Sequence, residues 1–153
     1  MTKKSKLVST KKLKVDRLQT LVKYLKSLDL NQVPYNQASW SKCAFFHASD
    51  IEEFNKLGYK PYPNVWYDKF SDSDVYRGVS YKGEYYEQAV AKFFGLSEGV
   101  ANWLSIYDYK GDTDATPKEF IRRVNAFIDG RVIEDEGGYE VITKAKRDAM
   151  LAA

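Results

Sequence analysis

Aromatic side chains constrain this chain more than any other feature. Its 153 residues include 12 Tyr, 8 Phe and 3 Trp, 23 rings in all. Disordered chains are poor in such residues, and each ring carries a large apolar area that must leave water. A packed core is therefore required. At this length one core buries roughly 68–70% of the unfolded surface, so neither a metal nor a crosslink is needed to hold it. The lone Cys43 leaves no internal disulfide and fits a reducing compartment.

Helical period places much of that core. Leu18, Leu21, Val22, Leu25 and Leu28 recur at spacings of three and four, which predicts a helix over 14–28. Pro34 pushes Val33 out of the helical region. Residues 39–48 form a short apolar stretch, helix or strand, and Ser49 to Glu52 has the capping-box pattern of a helix over 50–57 that stops at Gly58. Glu84 to Phe94 predicts a helix ending at Gly95, and Ser97 caps another that runs to Ile106. Thr116-Pro117-Lys118-Glu119 sets an N-cap, a proline in the first helical position and a glutamate in the third. The stripe Phe120, Ile121, Val124, Phe127 and Ile128 follows, and Gly130 stops it.

Other stretches lack that period. Residues 59–82, with Pro61 and Pro63, predict a long loop with short strands at 64–67 and 75–81. Arg131–Glu134 and Tyr139–Ile142 predict a hairpin around a four-residue turn, and 143–152 a terminal helix. The expected fold is mainly α: a compact single-domain helical bundle over 13–153 with a small C-terminal β-hairpin. A flexible basic arm, 1–12, is expected to precede it.

That arm belongs to a charge asymmetry. Residues 1–28 carry nine Lys or Arg and one acid, whereas 29–153 carry fifteen basic and twenty acidic residues. Lys3, Lys4, Lys6, Lys11, Lys12, Lys14 and Arg17 would suit phosphate neutralisation on nucleic acid, although none has an aromatic neighbour to stack on a base. No run approaches the length of a membrane span, and the basic start lacks the apolar stretch of a signal peptide, so no membrane partner and a cytoplasmic location are expected.

Catalytic and metal sets are harder to assemble. Cys43 and His47 are four apart and would share a helix face, the geometry of a thiol–imidazole pair. Nothing nearby orients the imidazole, and the apolar neighbours favour a structural role. Zinc would need a further Cys or His, and the chain has neither. No catalytic residue, metal or cofactor is assigned. Gln88 to Ser97 has the look of the first half of a helix-turn-helix. The helix after it opens on Glu98 and Gly99, which favours a plain helical hairpin.

Tyrosine is the stronger functional pointer. Fourteen of the 23 aromatics lie between Tyr59 and Tyr109. Tyr62, Trp66, Tyr67, Tyr76, Tyr81, Tyr107 and Tyr109 sit in predicted loops, where rigid amphipathic rings suit a binding surface. The alternative is that they fill the core and its rim.

Short segments carry a resemblance. Trp40, Cys43-Ala44 and His47-Ala48, then Ala91 to Leu96, then Thr116-Pro117, resemble small bacteriophage and bacterial proteins, over roughly residues 13–130. Ala38 and Phe46 depart from their pattern, where a Cys and a Gly would stand. The resemblance implies a phage or mobile-element accessory protein that acts by binding a host or defence macromolecule. The first expectation is thus a non-enzymatic protein that modulates such a partner through its tyrosine loops. Nucleic-acid binding through the basic arm is the second, and a Cys43-dependent or small-molecule-sequestering protein the third.

Overall fold

The computed structural model of the chain describes residues 5–29, 35, 43–63, 77–105 and 116–153. The N-terminal segment opens with strand β1 (Lys6–Leu7) and enters helix α1 (Val15–Ser27). Leu18, Leu21, Val22 and Leu25 of α1 are buried, as the stripe requires. Next come α2 (Ala44–His47), a single 3-10 turn (Ala48–Asp50) and α3 (Glu52–Lys56). Strands β2 (Lys60–Pro63), β3 (Arg77–Tyr81) and β4 (Glu84–Tyr85) follow. Helices α4 (Tyr86–Phe94), α5 (Glu98–Ser105) and α6 (Pro117–Ile128) lead to the hairpin β5 (Val132–Asp135) and β6 (Gly138–Val141). Helix α7 (Lys144–Ala152) closes the chain.

This is a mixed α/β fold, not a helical bundle with one small hairpin. The described residues hold two antiparallel three-stranded sheets, ordered β1-β5-β6 and β2-β3-β4, among the helices. The hairpin of β5 and β6 and the strand β3 were expected, and the strands that complete each sheet hid for physical reasons. Pro61 and Pro63 argue against a strand, yet β2 is an edge strand, where a residue without an amide hydrogen is tolerated. Lys82 and Gly83, both at positive φ (47° and 80°), form the two-residue turn that folds β4 back on β3. At the other sheet, β1 is only two residues long and carries no alternation to read.

The N-terminal segment is therefore not a free arm where it is described. Lys6 and Leu7 pair with Glu134 and Ile133, the Val8 amide donates to the Val132 carbonyl, and the Lys14 amide donates to the Phe94 carbonyl at 2.9 Å. Val8 and Leu13 pack against the core. Lys3 and Lys4 lie outside the described residues.

Local signals hold unevenly. Thr116 caps α6, its hydroxyl accepting from the Glu119 amide, and Ser97 caps α5 by accepting from the Val100 amide. The capping box at Ser49 does not form. Ser49 lies within the 3-10 turn and donates back to the Phe46 carbonyl, so Ile51 precedes α3 without a side-chain cap. The hairpin turn is tighter than four residues: Asp135 pairs with Gly138, and the Asp135 carboxylate accepts from the Gly137 amide.

Most of the described rings are core. Phe45 meets Phe120 edge-on with centroids 5.2 Å apart, Phe54 meets Phe93 at 4.9 Å, and Tyr59 meets Phe93 at 4.6 Å. Tyr59 is wholly buried, and its hydroxyl donates to the Phe45 carbonyl. Burial also pushes the Tyr59 hydroxyl well above its ordinary pKa, so it remains a donor. Between α5 and α6, the Arg123 guanidinium lies 5.2 Å from the Trp103 ring and donates to the Trp103 carbonyl.

Candidate functional site

A groove forms where the N-terminal segment crosses the turn between α4 and α5. Its making depends on Gly95. This residue ends α4 at φ 72°, a conformation that glycine adopts freely. A β-carbon there would overlap the carbonyl oxygen of Lys12. The absent side chain thus lets the segment lie directly over the end of α4, where the Lys14–Phe94 bond fixes it.

The cavity beside this crossing has a volume of about 760 Å³. It is lined by Ser9, Lys11, Lys12 and Lys14 from the segment, and by Ala91, Lys92, Gly95, Leu96 and Ser97 from the α4–α5 turn. Four lysines and two serines are among the lining residues, and no acidic residue is. None of these lysines makes an ion pair among the described residues. A second cavity of about 430 Å³ continues from Ser9, Gly95, Leu96 and Ser97 to Lys6, with Glu134 on its wall. Lysines gathered around one concave surface with no acidic residue in its lining give it a positive potential.

Of the predicted phosphate-binding set, Lys11, Lys12 and Lys14 meet in this groove and Lys6 stands at its extension. Arg17 is spent elsewhere. Its guanidinium donates to the Phe93 carbonyl at 2.6 Å and sits 4.3 Å from the Phe93 ring centroid, which ties α1 to the end of α4. Lys92, Ser9 and Ser97 were not foreseen. The signal for Lys92 was its exposed place on α4, three residues before the glycine, but sequence does not say that the N-terminal segment docks beside it.

The predicted tyrosine set is divided. Trp66, Tyr67, Tyr76, Tyr107 and Tyr109 lie outside the described residues. Tyr81 is only 6% exposed and packs edge-on to Phe93, so it is a core residue. Tyr62 is half-buried, and its ring centroid lies 4.7 Å from that of the exposed Tyr85.

Cys43 and His47 are both buried. Burial pushes the Cys43 thiol up to about 11, so it is protonated at neutral pH. His47 is buried and stacks on Tyr35, with centroids 5.4 Å apart and planes 6° apart. Among the described residues no group of three His, Cys, Asp or Glu gathers to hold a metal, and no helix is long and apolar enough to cross a membrane. In comparisons with known proteins, no family model, curated protein or solved structure matches this chain.

Proposed function

We propose that this chain is a binding module whose ligand is a nucleic acid held by its phosphates in the lysine groove. The supporting observation is the convergence of Lys11, Lys12, Lys14 and Lys92 on one cavity without a carboxylate in its lining. Phosphate neutralisation by lysine is strong, salt-sensitive and indifferent to sequence, and it needs no catalytic group. Ser9 and Ser97 stand beside the lysines in the same lining. A protein partner on the tyrosine loops is the second reading: of its described residues, Tyr81 is core and Tyr62 is half-buried beside the exposed Tyr85. The segments that resemble phage and bacterial proteins make the cytoplasm of a bacterial host the setting we propose.

The test is binding of a fluorescein-labelled oligonucleotide by the full chain and by a variant with Lys11, Lys12, Lys14 and Lys92 all changed to Gln. The expected result is a loss of at least tenfold with an unaltered unfolding midpoint. Equal binding by both proteins would overturn the proposal.

A further inference from the structure

The sheet β2-β3-β4 presents two unlike faces. Val79 and Tyr81 point inward and are buried. The other face follows from register. Tyr62 pairs with Gly78, and Lys60 pairs with Ser80, which pairs in turn with Tyr85. Residues paired across antiparallel strands share a face, as do residues two apart, so Lys60, Tyr62 and Tyr85 stand together on the outer side. Tyr86 joins them. Its ring lies where a side chain on Gly78 would stand, and its own backbone takes φ 53°, a conformation that costs a tyrosine energy. The result is a group of phenol rings with Tyr85 45% exposed and an exposed lysine in the same row.

Helix α4 connects this face to the groove. Gln88 and Lys92 stand one turn apart on the outward side of α4, and both are exposed, as is Tyr85, the strand residue that precedes the helix. At about 1.5 Å per residue, the six helical steps from Tyr86 to Lys92 span roughly 9 Å. Open rings with lysines beside them and lysines further along are the arrangement that single strands use, with bases on the rings and phosphates on the ammonium groups. A duplex keeps its bases stacked on one another and has none to offer the rings.

Resting on the groove reading above, we infer that the nucleic acid is single-stranded and that Tyr62 and Tyr85 stack its bases while the lysine groove holds the phosphates. Fluorescence anisotropy of the full chain with labelled dT12 and with an abasic 12-mer of equal phosphate count tests this. The chain binds dT12 roughly tenfold more tightly than the abasic strand. Tyr85→Ala and Tyr62→Ala each reduce that preference, Tyr85→Phe and Tyr62→Phe retain it, and all four leave binding of the abasic strand unchanged. Equal affinity of the chain for the two strands, or a preference that survives both alanine variants, overturns stacking while leaving the groove in place. An equal loss on both strands in the alanine variants overturns it too. If neither strand binds, the groove reading falls with it and the tyrosine face passes to a protein partner.

Discussion

Cys43 shows how one residue's chemistry is decided by its surroundings. Its spacing from His47 suited a reactive pair, but the thiol is fully buried and held protonated, with its pKa pushed up to about 11. Alkylation by iodoacetamide at pH 8 should therefore be at least a hundredfold slower in the folded chain than in the unfolded one. Comparable rates would mean an open thiol. Glu119 is the opposite case. Hydrogen bonds first from Arg122, and then from Arg123, hold its carboxyl below the ordinary value of 4.5. A depressed folded pKa stabilises the fold above the unfolded value and is lost as pH falls through the folded one. Glu119→Gln should cost about 1 kcal/mol at neutral pH and remove part of the acid weakening below pH 4.5. Urea midpoints measured along a pH series check both the size and the sign. An unchanged acid limb would contradict the pairing.

Elements were legible where a cap, a stripe and a stop agree. Helix α6 has all three in Thr116, the stripe from Phe120 to Ile128, and Gly130. Helix α1 had its stripe, and its burial follows. The hairpin of β5 and β6 and the strand β3 were legible too, but the strands β1, β2 and β4 that complete the two sheets were not, because their evidence is long-range. Lys6 and Leu7 form a strand only because Glu134 and Ile133 offer an edge more than a hundred residues later. Likewise, the Ser49 pattern lost to a back-bond within its own turn, a choice local sequence does not decide. The tightest joint between elements is Gly95. Gly95→Ala forces a left-handed alanine and an overlap with Lys12, and should cost at least about 2 kcal/mol. It should also release residues 9–14 from α4, which amide hydrogen exchange at Lys14 reports. Wild-type stability and protection in this variant would refute the docking.

At the scale of the molecule, the charge asymmetry changes meaning once the segment is docked. Lysines scattered along the first residues of the sequence become neighbours of Lys92, and one wall of the groove comes from each. The sequence supplied three of those four lysines, Lys11, Lys12 and Lys14, but not their convergence, which requires Gly95 and the sheet pairing of β1. It also counted Arg17 among them, although that charge is tied to the end of α4. The aromatic count required a core, and Phe45, Phe54, Tyr59, Phe93 and Phe94 supply it, which leaves few described rings for the surface. If the four groove lysines each displace a counterion from a single strand, the plot of log binding constant against log salt has a slope of about −3. Changing Lys11, Lys12 and Lys14 to Gln should flatten it to about −1. A slope near zero in the unaltered chain, or a steep slope that survives those substitutions, would contradict the account.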